Sequence, residues 1–308
     1  MKVAILGQPQ AGQVELFCLL TGPDRIVPAK IEFLLLPDFV PSGPAHSTVI
    51  NEMKNADAFC WVAKAEQADA DVKTFIAELI ITDLLLVEKR IENIAKAIKT
   101  KADDSREKEM RLMEACKAHL EKEQPLASFP FAEEQRKDIR AYQFVTETPL
   151  VIVLNIDDKL PADETIAARV RERFHRPCIQ ICIGLEEEIL RLEEGDRAPF
   201  MKEMGISEAA IDRMTRLVFE SLNLISFFTV GDKEVRAWPI RKGSSALEAA
   251  GTIHSDLARG FIRAEMMKYA DLMAAGSTSI LKEQGRVYLK GKEYVVEDGD
   301  ILTIHFNV

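Results

Sequence analysis

Seven apolar residues constrain this chain more than any other feature. Ile76, Ile80, Leu84, Val87, Ile91, Ile94 and Ile98 step by 4, 4, 3, 4, 3 and 4. A spacing near 3.5 keeps one apolar seam on one side of an α-helix and demands a partner helix to cover it. Unbroken over residues 73–101, that helix would be about 43 Å long at 1.5 Å per residue. The polar stretch KADDSREKE interrupts it. Met113, Cys116 and Leu120 then share a stripe on a second helix ending near Gln124-Pro125. The pattern predicts a helical hairpin over 69–143, serving either as a packing device or as a binding arm.

Elsewhere the apolar runs are short. KVAIL (2–6), IEFLLL (31–36), AFCWVA (58–63), TPLVIVLN (148–155) and RPCIQICIG (176–184) are bounded by turn residues. Runs of this kind suit the buried strands of a parallel sheet. The helical stretch STVINEMKNA falls between the second and third, and helices are expected after the fourth and fifth, which is α/β alternation. The hairpin therefore interrupts one α/β domain, predicted at 1–68 and 144–220. From 221 the texture changes. SFFTV, EVRAWPI, GRVYLKG and ILTIHFNV are β-rich, with ALEAAGTIHSDLARG helical between them, and predict a small mixed sheet around one helix.

Composition narrows the function classes. The 308 residues are 47% hydrophobic and 29% charged, and the net charge of −10 is concentrated in 144–221. No segment is strongly basic, which argues against generic nucleic-acid coating and leaves no DNA-specific signal. A local basic patch remains on 89–122, where Lys89, Arg90, Lys96 and Lys99 lie, unless these only solvate a helix face. No apolar run reaches the roughly 18 residues of a membrane span. Five cysteines without metal-ligand clustering fit a reducing, cytoplasmic setting, with no metal site and no membrane partner expected. The five histidines are scattered, and EEE at 186–188 reads as a solvated helix start. Phe227, Phe228, Trp238 and Phe261 read as core of the β-rich segment.

One motif carries chemistry. GQPQAGQVE (7–15) follows the first apolar run and precedes a helical pattern, the setting of a phosphate-binding loop. Such a loop holds phosphate with backbone N–H groups, reaches it with a Lys and binds Mg²⁺ through a Ser/Thr hydroxyl. Gly7, Gln8, Pro9 and Gly12 preserve the turn, but Gln13 and Val14 stand where the Lys and Ser/Thr belong. Gln13 forgoes a charge-assisted contact of roughly 1.5–3 kcal/mol, and Val14 cannot ligate a metal. Glu15 adds a negative charge in the helix's first turn, where it either occupies the niche of a phosphate or merely favours the helix dipole.

SLNLISFFTVGDKEVRAWPIRKGSSALEAAGTIHSDLARGFIRAEMMKYADL with GKEYVVEDGDILTIHFNV closely resembles the C-terminal TGS domain of YchF-type (Obg-like) GTPases over 221–308. IAELIITDLLLVEKRIENI resembles the start of the inserted hairpin of that family, and TPLVIVLNIDD its base-recognition strand. The resemblance implies an α/β P-loop NTPase-like domain with a parallel-rich sheet, an inserted α-helical coiled-coil hairpin and a C-terminal β-grasp-like TGS domain. Aligned on IEF, Leu35 stands in place of the Mg²⁺-linked Asp of the second switch, and Asp38 in place of its glycine.

With Gln13, Val14 and Leu35 together, the resemblance implies a degenerate member that has lost hydrolysis. Asn155 and Asp158 resemble the base-recognition element, and Cys182 the loop beside the base. A weak ATP or GTP site without Mg²⁺ is compatible with these residues, as is a bracing role for Asn155. In the family the hairpin and TGS domain are associated with ribosome and RNA contact, which makes Lys89, Arg90, Lys96, Lys99, Arg241, Lys242 and Arg263 candidate contacts. Three readings stand: a non-enzymatic ribosome-, RNA- or protein-binding regulator, a slow NTPase, and a regulatory module whose TGS domain binds a small ligand.

Overall fold

The computed structural model describes residues 2–7, 32–41, 43, 46–100, 103–157, 164–230 and 235–307. Two compact units result, one of Glu32–Val218 with the N-terminal strand and one of Phe219–Val308.

The first unit is built on a parallel sheet of β1 (Lys2–Gly7), β2 (Glu32–Leu35), β3 (Ala58–Lys64), β4 (Leu150–Asn155) and β5 (Cys178–Ile181). Its order is β2-β1-β3-β4-β5, all neighbours parallel. These strands are continuous apolar runs because both faces are covered. On one face lie Val3, Ile5, Cys60, Val62, Val151 and Val153, all fully buried. On the other, Phe59, Trp61, Ile152 and Leu154 pack with Val49 and Met53 of α1 (His46–Met53). Trp61 stacks on Phe75 at 4.0 Å between ring centres, and Phe39 meets both edge-on.

The long helix, α2 (Ala68–Thr100), begins five residues earlier than the seam predicts. Its first three turns serve a different partner: Ala68, Val72, Phe75 and Leu79 join the sheet core. Beyond them the seam turns to α3 (Asp104–Leu120). Ile80, Val87 and Ile94 are buried with Leu112, Met113, Cys116 and Leu120, and Ile76, Leu84, Ile91 and Ile98 pack against the same cluster. Asp103 caps α3 by accepting from the Arg106 N–H at 2.9 Å.

Behind α3 the chain returns to the sheet through α4 (Glu133–Ile139) and short 3₁₀ turns. Asp83 pins that return to α2. Its carboxylate accepts from the Val145 N–H (3.0 Å), the Thr146 N–H (2.8 Å) and the Thr146 hydroxyl (2.6 Å).

The second unit has the sheet order β7-β6-β10-β8-β9, with β6 (Leu224–Val230), β7 (Val235–Arg241), β8 (Phe261–Lys268), β9 (Tyr288–Lys290) and β10 (Asp300–Phe306). Only β6–β10 is parallel. Strand β8, FIRAEMMK, has no counterpart in the sequence expectation. Ala, Glu and Met favour helices, and pairing with β10 over its whole length overrides that preference. The single expected helix is two, α5 (Ala246–Ile253) and α6 (Ser255–Arg259), because His254 is extended at φ −164°. Gly260 follows at a close approach: a Cβ there would meet the Asn307 carbonyl oxygen at 2.2 Å. The other sheet face is covered too, Leu281 and Leu272 packing with Met267, Ile301 and Phe228. An α/β layer with an inserted helical hairpin and a mixed C-terminal sheet is the architecture implied by the sequence.

Candidate functional site

In an open parallel sheet, ligands bind beyond the carboxyl ends of the strands where the strand order reverses. The order β2-β1-β3-β4-β5 places that reversal between β1 and β3. Gly7, the last residue of β1, pairs with Val62 of β3 at this point. The expected phosphate loop therefore leaves the sheet at its topological switch. Gln8, Pro9, Gly12, Gln13 and Val14 lie outside the described residues, as does Asp158.

Three sequence-selected residues share the same edge. Leu35 ends β2, half-buried, in register with Ile5 of β1. Asn155 ends β4, half-buried, in register with Lys64 and Ile181. The Ile156 N–H donates to the Ile181 carbonyl at 3.0 Å, which fixes the chain just past Asn155. Cys182 is half-buried and opens the helix Ile183–Arg191, its carbonyl accepting from the Glu186 N–H at 3.1 Å. With strands spaced about 4.8 Å apart, Gly7 and Cys182 lie three strands from one another, about 15 Å.

The geometry adds one residue that the sequence reading passed over. Lys64 ends β3 beside Asn155 and is exposed, placing an ammonium on the same edge as the end of β1. The legible signal was a lysine closing an otherwise apolar strand. Glu186 corrects an expectation in the opposite sense. It is buried rather than solvated, and accepts from the Ala210 N–H at 2.9 Å. Neither Cys60, Cys116 nor Cys178 offers a nucleophile. Burial pushes all three thiols up, Cys116 to about 11 and Cys178 to about 12, so they stay protonated. Among the described residues no group of His, Cys, Asp and Glu is arranged to hold a metal ion.

The basic candidates divide. Lys89, Lys96 and Lys99 are exposed on α2, and spacings of seven and three keep them on one side of the helix. Arg90 is engaged within the hairpin. Its Nε donates to Glu109 at 2.6 Å, its guanidinium lies 5.7 Å from the Tyr142 ring centre, and Tyr142 also donates to Glu109. Arg241 and Lys242 are exposed at the end of β7, where Arg241 pairs with Leu224. Arg263, also exposed, pairs with His305 near the end of β10. The register puts Arg263 at the opposite end of the sheet from Arg241.

Comparison with known proteins gives a consistent result. Residues 224–307 match the family model YchF-GTPase_C, described as "Protein of unknown function (DUF933)". The ribosome-binding ATPase YchF of Bacillus subtilis is 36% identical over 311 residues, covering 94% of this chain and 85% of the relative. The protein of the same name from Escherichia coli O157:H7 is 33% identical with the same coverage. The solved Schizosaccharomyces pombe YchF GTPase superposes with a TM-score of 0.82 at 21% identity, over 99% of this chain and 97% of the other. No described helix is long and apolar enough to cross a membrane.

Proposed function

The chain belongs to the YchF family, and from that premise we propose that it is a ribosome-associating regulator whose nucleotide site no longer hydrolyses. The observation that carries this reading is the make-up of the sheet's switch point. Gln13 and Val14 remove the ammonium and the hydroxyl from the loop that leaves β1. Leu35 presents an aliphatic side chain at the end of the adjacent β2. Phosphoryl transfer rests almost entirely on positioning and charge stabilisation, and these three positions remove a cation and two oxygen donors from it. The side chains that the sequence places at Gln13 and Val14, with Leu35 at the end of β2, therefore do not fit a Mg²⁺ ion, and no hydrolytic step is derived through one.

What remains is a scaffold for binding. The curated relatives are named ribosome-binding, and the exposed lysines of α2 supply charge for an RNA-rich surface. A second reading, a weak ATP or GTP site, is favoured by Asn155 and Lys64 lying side by side on the same edge.

Calorimetric titration of the purified chain with ATP, GTP and non-hydrolysable analogues, with and without Mg²⁺, tests the nucleotide half. The expected result is no saturable, Asn155-dependent heat up to millimolar ATP or GTP. Micromolar affinity abolished by Asn155→Ala would replace the proposal with the second reading. Cosedimentation with ribosomes across increasing salt tests the other half. Association should weaken steeply with salt, and Lys89, Lys96 and Lys99 changed together to Glu should reduce it at least about tenfold at low salt. A triple variant that cosediments like the parent would remove the hairpin from the contact.

A further inference from the structure

We propose that the C-terminal unit holds a second, separate binding site, for a small planar aromatic anion, at the Arg236–Trp238 end of its sheet. A cavity of about 360 Å³ opens there between the sheet and the helices that cover it, lined by Thr229, Arg236, Trp238, Ile253, Leu257 and Phe306 among others. That volume lies within the range of small-molecule sites, about 300–1,000 Å³, which pair an apolar lining with a few convergent polar groups. The lining here has that balance. Ile253 and Leu257 come from α5 and α6, and Phe306 stands at the rim, 45% exposed although aromatic.

The polar groups are held in place. Arg236 and Trp238 lie two apart on edge strand β7, and so on one face, opposite Thr229 and Phe227 of β6. The indole Nε1–H donates to the Thr229 hydroxyl oxygen at 3.0 Å, which fixes the ring. The Arg236 guanidinium lies 4.2 Å from that ring's centre, so the indole in turn positions the cation. Among the described residues no carboxylate lies within ion-pair reach of Arg236. Its fork of N–H donors suits a carboxylate or phosphate. Thr229, accepting from the indole, retains its own O–H to donate.

A flat ring between the apolar walls, with its anionic group on Arg236, uses every one of these features. A neutral ligand would leave the guanidinium without a carboxylate among the described residues, and a small hydrophilic anion would leave Phe306, Ile253 and Leu257 wet. The carboxylate of an aromatic acid and the phosphate of a nucleoside monophosphate share this chemistry. The site lies in the second unit and does not depend on the state of the phosphate loop.

The test is calorimetric titration of the full chain with 2-naphthoate, its neutral amide 2-naphthamide, and adenosine monophosphate, repeated on Arg236→Gln. The substitution falls on an exposed edge-strand residue, and its thermal midpoint should match the parent. Expected is one-site binding of naphthoate or the monophosphate, with naphthamide roughly tenfold weaker or more. In Arg236→Gln the preference for the anion over the amide should collapse. Trp238→Phe, which removes the indole that positions the guanidinium, should weaken the anion while leaving the midpoint within a few degrees. The better binder of the two anions identifies the source, counting only the Arg236-dependent part. No saturation by either anion up to millimolar concentration, or an anion preference unchanged in Arg236→Gln, overturns the proposal.

Discussion

Asp83 at the root of the hairpin and Asp300 in the C-terminal sheet are both fully buried, and the chain satisfies them in different ways. Asp83 has no ion-pair partner in contact among the described residues and relies chiefly on hydrogen bonds, two N–H groups and one hydroxyl from Val145 and Thr146, with a smaller charge contribution from Lys54. Burial pushes its carboxyl up to about 6, the bonds from Thr146 and Val145 only partly opposing this. Asp300 accepts from the Lys268 ammonium at 2.6 Å, from the Tyr294 hydroxyl at 2.8 Å and from the Glu297 N–H at 2.9 Å. Although partial burial works against its charge, Lys268 is held above its ordinary value by Asp300 and Glu297. One buried carboxylate is bound to backbone that must return to a sheet. The other is neutralised by a cation on the neighbouring strand. The first joins segments 63 residues apart through a group that remains titratable near neutrality, whereas the second locks a strand pair with opposite charge.

The largest effect should come from breaking the second arrangement. Asp300→Ala leaves Lys268 paired with Glu297 alone and removes three bonds at the start of β10. Loss of one partner from a buried ion pair costs roughly 3–5 kcal/mol, and because Lys268 is partly exposed and keeps Glu297 the lower end is expected, to be read as a drop in the urea midpoint followed by circular dichroism. Lys268→Met combined with Asp300→Ala should lose less than the sum of the single changes. Strict additivity would show that the pair is not coupled.

Next comes Asp83→Asn, expected to cost about 2 kcal/mol at pH 7, because an amide nitrogen cannot accept from the Val145 and Thr146 donors. The sign of its pH dependence follows from the raised folded value. Between the ordinary value of 3.8 and about 6, the native state holds the additional proton. This carboxyl therefore makes stability fall as pH rises through that window, by up to about 3 kcal/mol, and contributes no slope above it. The difference between parent and Asp83→Asn, measured from pH 4 to 7, should follow that curve. A difference independent of pH would contradict it.

The smallest change is Thr146→Val. It removes one donor to Asp83 and the acceptor for the buried Leu126 N–H, which lies 3.1 Å from the Thr146 hydroxyl. About 1–2 kcal/mol is expected, with the pH curve of Asp83 retained. Loss of that curve would move the titration away from Asp83.

Much of this was legible in the residues. The seam Ile76 to Ile98 located the hairpin because a repeat near 3.5 has one geometric solution. The five apolar runs located the strands of the parallel sheet because both of their faces are buried. Strand β8 was missed because its residues favour a helix locally and only pairing with β10 makes it extended. Asp83 left one trace, a carboxylate between Ile80 and Leu84 on the inner side of the seam, yet nothing in the sequence says that its partners lie beyond residue 144. Gly7, Leu35, Asn155 and Cys182 were chosen by motif and resemblance, and the sheet register puts them on one edge. Lys64 and Arg236 had no motif to mark them.

The sequence alone determined the element types, the interruption of the α/β layer by the hairpin, and the absence from the loop of the groups that phosphate chemistry uses. Those properties depend on local periodicity and on the identity of single side chains. Tertiary structure alone decided that Arg90 is consumed by Glu109 while Lys89 stays exposed, and that Arg241 and Arg263 face opposite ends of one sheet. It also decided that Arg236 lies over Trp238 at the mouth of a cavity. Each of these depends on which distant segments meet, and a one-dimensional pattern does not record strand order or register.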